Sequence, residues 1–299
     1  MKALNDVASN TFRSSNEEPV RMALLQLLLG VRYGRPMSMQ RVHLASLDGV
    51  HLEAALHRAP DNSRGTVVLA HGITVDMDEG GMFVRLADHL ADNGFDALRF
   101  SFRGHGNSGG MQAGTTIAGE VLDLQAAVEH AHGELPGPLS IIAASFGAVS
   151  TSLSLPWLQH ALEKVAFWNP VLDLHRTFVE PELPWGKENF NREQQEHLRA
   201  QGFLLVDGEF RLGRVMFDEF SRYQPVQEFE RDTRPALVVH GDLDSYVSYS
   251  IARDAAAARA NCDFHTVIGS DHGFDSRERE DEAIMVTVGW LLDGKLGTA

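Results

Sequence analysis

From residue 65 onward the chain alternates short, wholly apolar runs with segments whose apolar residues recur at helical spacing. No other feature constrains the fold as much. A strand that is apolar on both faces must be covered on both sides, and alternating strand and helix supply that cover in a mostly parallel sheet. "GTVVLAHG" (65–72) is such a strand, "GMFVRLADHLADNG" (81–94) has helical spacing ending in Gly, and "FDALRFSF" (95–102) is the next strand. A helix is expected over 116–131, then the strand "LSIIAA", a helix after Ser145, and the strand "KVAFWNP" (164–170).

The rhythm stops at about Val171 and resumes with "RPALVVHGD" (234–242), a helix near 248–260, the strand "DFHTVIG" (263–269) and an amphipathic helix over 278–293. The interval is rich in aromatics, proline and charge, with helical pieces but no strand–helix alternation. So long an interruption in a compact domain has its own structure or function. The expected organisation is an N-terminal helical extension (1–39), an α/β core (40–170 and 231–299) and a cap (171–230) inserted between two strands. Before the alternation, "QRVHLAS" and "VHLEAALHR" flank Leu47-Asp48-Gly49 as a β-hairpin. A helix is expected from about Pro19 to Arg32, packed on its own domain; a homodimer contact through it, or a flap over a pocket, stays open.

Composition bounds the partners. The formal charge of -15 over 299 residues argues against a polyanion bound across a broad surface, so nucleic acid is not expected. Cys262 is the only cysteine, which leaves no intrachain disulfide and no thiolate metal cluster, as in a cytoplasmic protein. "MALLQLLLGV" (22–31) is too short to span a bilayer and has no small-residue cleavage site behind it, so neither stable membrane insertion nor a signal peptide is expected. The fourteen histidines include no H-E-x-x-H or comparable pair, so no metal is expected.

Three elements carry chemistry. Ser145, in "AASFGA", follows a strand and opens a helix, the setting of a nucleophile held on a sharp turn. Taken alone it reads more readily as a small residue in a buried turn. Gly147 fits the G-x-S-x-G pattern; Ala143 departs from it but is still small. "VVHGDLDSYV" ends a buried strand in two carboxylates, Asp242 and Asp244, and "VIGSDHGF" ends another in a Gly-rich loop carrying His272. Serine, acid and histidine in that order, each at the C-terminal end of a parallel strand, favour a nucleophilic triad over three unrelated loop residues. "GHGNSG" (104–109) matches G-x-G-x-x-G, but no helix opens within it and Asp123 falls mid-helix. A dinucleotide site is therefore not expected, nor any other cofactor.

Over roughly residues 40–295 the chain resembles α/β-hydrolases of the capped serine-esterase kind. It is similar to bacterial feruloyl (cinnamoyl) esterases and monoglyceride lipases and, more distantly, to the acyl-ACP thioesterase that feeds bacterial luciferase. The resemblance rests on "LAHGIT", "RFSFRGHGNSGG", "AASFGA", "HGDLDSYV" and "GSDHGF". It implies hydrolysis of an ester or thioester through an acyl-enzyme, with Ser145 as nucleophile, His272 as base and Asp244, the second carboxylate of H-G-x-x-D-x-x-V, as triad acid. Asp242 is then a loop cap. The oxyanion donors become the backbone N–H groups of Phe146 and Ile73, and His71 braces its loop. Acyl transfer, amide cleavage and a silent ligand-binding version of the fold stay open. Trp157, Trp168, Phe178, Trp185 and Phe190 are expected near the mouth, where they either contact an apolar acyl group or form the cap's own core. Trp185, expected in a turn, and Phe178 are the substrate contacts singled out.

Overall fold

The computed structural model of the chain describes residues 39–296; the helix expected near 19–32 lies outside them. Met39–Ala45 (β1) and His51–His57 (β2) form the expected antiparallel hairpin. Next come Gly65–Ala70 (β3), Met82–Asp92 (α1), Phe95–Phe100 (β4), Ile117–Glu134 (α2), Leu139–Ala144 (β5), Gly147–Ser154 (α3) and Leu162–Trp168 (β6). After the insertion, Ala236–Gly241 (β9), Tyr249–Ala258 (α8), Cys262–Val267 (β10) and Arg277–Asp293 (α9) complete the alternation.

The eight strands lie in the order β1-β2-β4-β3-β5-β6-β9-β10. β2 pairs antiparallel with β1 and β4, and the remaining pairs are parallel. β3, β4, β5 and β9 are buried along their whole length; they are mostly apolar, and the charges in β4 are paired, Asp96 with Arg58 and Arg99 with His57 and Asp78. On one face α2, α3 and α8 bury Leu124, Val128, Ala148 and Ala252; on the other α1 and α9 bury Phe83, Leu86, Ile284 and Trp290. β3 sits between β4 and β5, so the connections run to opposite sides around it. The ends of β3 and β5 therefore border the crevice where open α/β sheets place ligands.

The segment between β6 and β9 holds a π turn at His175–Val179, then Pro184–Asn189 (α4), Arg192–Gln201 (α5), Phe203–Val206 (β7), Phe210–Gly213 (β8), Arg214–Glu219 (α6) and Pro225–Arg231 (α7). The antiparallel β7–β8 hairpin was not among the sequence expectations. Its signal is the Asp207-Gly208 pair, both residues at positive φ (51° and 75°) as a tight hairpin turn demands. Trp185 is not in a turn: Pro184 starts α4 and Trp185 follows inside it.

The aromatic expectations separate. Trp157 is 75% exposed beyond the C-terminal end of α3, before β6 begins, at the end of the sheet opposite Ser145. Trp168 is buried in the core, donating its indole N–H to Thr287 Oγ1 at 2.8 Å. Phe178 and Phe190 belong to a third apolar cluster with Leu204, Leu212, Met216 and Phe220, joined from the sheet side by Ile73, Phe146 and Val149. The insertion thus has its own core, and that core is continuous with the residues around Ser145.

Helix α3 approaches β3 so closely that a Cβ on Gly147 would lie 2.4 Å from the Ala70 carbonyl oxygen and 2.7 Å from that of His71. Gly147→Ala, which would gain about 1 kcal/mol in a free helix, is expected to destabilise this protein by about 1–3 kcal/mol through overpacking. Urea unfolding at an unchanged m-value checks this; a midpoint at or above the parent's would mean α3 can move off β3 freely.

Candidate active site

Ser145 occupies the turn between β5 and α3 with φ at 49°, a left-handed conformation unusual for a non-glycine residue. The strain is held from both sides. Its N–H donates to the Trp168 carbonyl at 2.8 Å, and its own carbonyl accepts from the Val171 N–H at 3.0 Å. The turn lifts the hydroxyl clear of the sheet, at the N-terminal end of α3.

The structure brings the three sequence-chosen side chains together. His272 Nε2 lies 3.0 Å from Ser145 Oγ although the residues are 127 positions apart, and His272 Nδ1 lies 2.8 Å from Asp244 Oδ2. The Asp244 carboxylate is buried and fully satisfied. Oδ2 also accepts from His240 Nε2 at 3.1 Å, and Oδ1 accepts the N–H groups of Tyr246 and Val247 at 2.9 and 2.8 Å. Burial alone would raise the Asp244 pKa, but the imidazole of His272 and the bonds from His240 and His272 hold it well below the carboxylate range. Burial works against a charged His272 as well. The Asp244 carboxylate outweighs it, with Glu79 and Asp271 adding to the effect, so the imidazole pKa lies above its ordinary value. Asp242 points elsewhere and accepts the Gly269 N–H, the role expected of a loop cap.

The loop after β3 is braced from three directions. His71 donates through Nδ1 to the Gly72 carbonyl at 2.7 Å and accepts the Phe102 N–H at Nε2. Those bonds require a neutral ring, and burial holds its pKa well below the usual value. His105 Nε2 lies 2.7 Å from the Ile73 carbonyl, and Glu79 Oε2 accepts the Gly72 N–H at 2.7 Å. Among the described residues, the Ile73 and Phe146 N–H groups donate to no protein acceptor. Their side chains have a separate task. Phe146 packs edge-on against Phe178 (5.6 Å) and Phe220 (6.1 Å), tying the nucleophile turn to the insertion's core.

Comparisons with known proteins bear on the fold. The model of the serine aminopeptidase S33 family, Hydrolase_4, matches residues 61–199. A structure of the esterase Est1E of Butyrivibrio proteoclasticus with ferulic acid bound superposes with a TM-score of 0.72 at 21% identity, over 84% of this chain and 98% of that one. The Pyrococcus furiosus esterase Pf2001 gives 0.67 at 20% identity, over 89% and 96%, and the esterase domain of a Rhodothermus marinus protein 0.65 at 20%, over 85% and 98%. The chain has the α/β-hydrolase fold. No curated protein matches its sequence significantly.

A cavity of about 110 Å³ opens onto Ser145 and His272, walled by Ile73, Val75, Glu79 and Val171 below and by Phe178, Trp185, Asp207 and Tyr246 above. Both substrate contacts chosen from sequence line it. Trp185 is held on nearly every side: its ring stacks on Tyr246 at 5.0 Å, its edge meets Phe178 and Phe190, and its indole N–H donates to Asp207 Oδ1 at 2.7 Å. Tyr246 in turn stacks on His272 at 4.8 Å, with the ring planes nearly parallel at 11°. One column of rings thus runs from the insertion to the imidazole.

Sequence reasoning did not single out Tyr246, Glu79, Asp207 or His240. Tyr246 and His240 lie inside "HGDLDSYV", so only their directions were missing; nothing local marks Glu79. The G-x-G-x-x-G loop serves as a turn after β4, and Asp123 is taken up by Arg103, whose Nη2 lies 2.7 Å from it. Among the described residues, no group of three His, Cys, Asp or Glu side chains is placed to hold a metal ion, and no helix is long and apolar enough to cross a membrane.

The His272 pKa, read from ring-proton shifts in an NMR titration, is expected above 6.5. Asp244→Asn removes the opposing charge and should lower it, with burial then unopposed. A pKa unchanged by Asp244→Asn would show that the carboxylate does not set the charge of the ring.

Proposed function

We propose that the protein is a serine hydrolase that cleaves a carboxylic ester or thioester through a covalent acyl-enzyme. The observation that carries this reading is the unbroken chain of hydrogen bonds from Asp244 through His272 to a Ser145 held at positive φ. Its fold relatives include esterases, one with ferulic acid bound.

In this reading Ser145 Oγ attacks the carbonyl carbon while His272 Nε2 takes its proton. Asp244 keeps the ring's other proton on Nδ1 and stabilises the imidazolium that forms. The tetrahedral oxygen takes hydrogen bonds from the Ile73 and Phe146 N–H groups, which have no protein acceptor among the described residues. Collapse expels the alcohol or thiol, which takes the proton from His272. A water then enters, gives its proton to the same nitrogen and attacks the acyl carbon, and Ser145 leaves reprotonated. No cofactor is needed. The cavity of about 110 Å³ is smaller than one that holds benzene, roughly 150 Å³. It suits a short acyl chain.

A fluorophosphonate probe is expected to label the wild-type protein on the Ser145 peptide, and Ser145→Ala should lose both label and turnover, the latter by about a millionfold in kcat as in another serine hydrolase. Labelling elsewhere, or ester turnover by Ser145→Ala within tenfold of the parent, would remove Ser145 from the role. Trp185→Ala opens the cavity wall and is expected to raise the ratio of kcat/KM for hexanoyl over acetyl esters by at least tenfold. This reverses the direction expected of an indole that grips the acyl group, because one face is already stacked on Tyr246 and the N–H is taken by Asp207. A lower ratio would restore Trp185 as a direct binding surface.

A further inference from the structure

Glu79 is the feature of the site that the acyl-enzyme chemistry leaves unused. It is the first residue of a short 3-10 turn, Glu79–Gly81, and takes φ 47° ahead of Gly80 (63°) and Gly81 (96°), so three left-handed residues follow one another. A side chain in that backbone region is strained, and such strain concentrates where function demands it. The conformation carries the carboxyl into the cavity wall beside Ser145. A Cβ on Gly72 would lie 3.3 Å from both Glu79 Oε1 and Ser145 Cβ. Oε2 is occupied by the Gly72 N–H, whereas Oε1 bonds to no protein donor among the described residues.

No lysine or arginine among the described residues answers this carboxylate. The cavity lining they form includes a second acid, Asp207. Asp207 is tied down through Oδ1 by Trp185 and Asn189, whereas Glu79 forms no ion pair with Lys or Arg among the described residues. It is faced by His272 from the loop after β10 and by Asp76 from its own loop. Burial, offset in part by the Gly72 N–H and His272, raises its pKa to about 7. If Glu79 served only to hold the Gly72 N–H, an uncharged amide would do so without that cost.

We propose that Glu79 is the specificity-determining residue of this cavity and selects esters that carry an ammonium group close to the scissile carbonyl, rejecting those that carry a carboxylate there. The inference rests on the hydrolase reading above and names its substrate class. The ammonium donates to Oε1 and supplies the countercharge the protein withholds, in a setting where opposite charges attract far more than in water. A carboxylate at the same place meets Glu79 and Asp207 with no basic side chain to receive it.

The test compares methyl butanoate, methyl 3-aminopropanoate and methyl hemisuccinate, which differ in the charge at the end of a short chain, with hydrolysis followed in a pH-stat. At pH 8 the wild type is expected to prefer the ammonium ester over the neutral one by at least tenfold in kcat/KM, with the carboxylate ester slowest. Glu79→Gln should shrink the ammonium-to-carboxylate ratio by at least tenfold, whatever happens to absolute rates. Equal losses on all three esters would mean Glu79 only braces the Gly72 loop, and would overturn the proposal. If Glu79→Gln does not fold, the wild type still decides the matter. Between pH 6 and 8 the ammonium-to-neutral ratio should rise about fivefold or more as Glu79 ionises; titration of His272 acts on both esters and cancels. A flat ratio overturns the proposal. Turnover of methyl butanoate with no charge preference defeats this inference alone, whereas absence of all turnover together with absence of fluorophosphonate labelling defeats the hydrolase reading beneath it.

Discussion

The site depends on the contact between α3 and β3. At Gly147 the helix presses against the carbonyl oxygens of Ala70 and His71 with no room for a side chain. That approach forces Ser145 into its left-handed turn and sets the Phe146 N–H beside the loop that bears the Ile73 N–H. The same contact aims Phe146 outward, where Phe178 and Phe220 close on it. Strand packing, nucleophile geometry and the anchoring of the insertion are therefore one constraint. Loosening any of them disturbs the other two.

The charge arrangement is built in the same layered way. Asp244 receives four donors, two from rings and two from backbone, and so stays ionised in a buried place where a bare carboxylate would take up a proton. Its charge sustains His272, and the ring is held between that carboxylate on one edge and the face of Tyr246. Because Trp185 stacks on Tyr246, the insertion's position is felt at the imidazole through packed rings rather than through any flexible link. The cavity that remains is small and carries two acids, Glu79 and Asp207, with Glu79 Oε1, beside Ser145, free of protein donors among the described residues.

The core strands were legible because a doubly covered strand is mostly apolar, as β3, β5 and β9 are; β4 is equally buried although it carries Asp96 and Arg99, whose charges are paired. The order Ser145, Asp244, His272 was legible because each residue sits in a short motif at a strand end, where backbone geometry is local. The β7–β8 hairpin was passed over although Asp207-Gly208 announces it, since strands of four residues leave little alternation to read. Trp157 and Trp168 were drawn toward the mouth by composition alone. One lies exposed at the far end of the sheet and the other is locked into the core by Thr287.

The sequence by itself determined the layered α/β architecture, the interruption after β6, the small residues around the nucleophile turn and the identity of the three groups that meet there. The architecture follows from periodicity and turn chemistry, both set by neighbours in the chain, while the choice of Asp244 over Asp242 came from the resemblance to the H-G-x-x-D-x-x-V pattern. Only the tertiary structure decided what surrounds them: that Tyr246 lies flat against His272, that Trp185 is a held wall, and that the Glu79 carboxyl faces the cavity without a cation. Such facts depend on the directions of side chains that converge from elements far apart in sequence, and on the solvent those elements exclude. No local pattern encodes either.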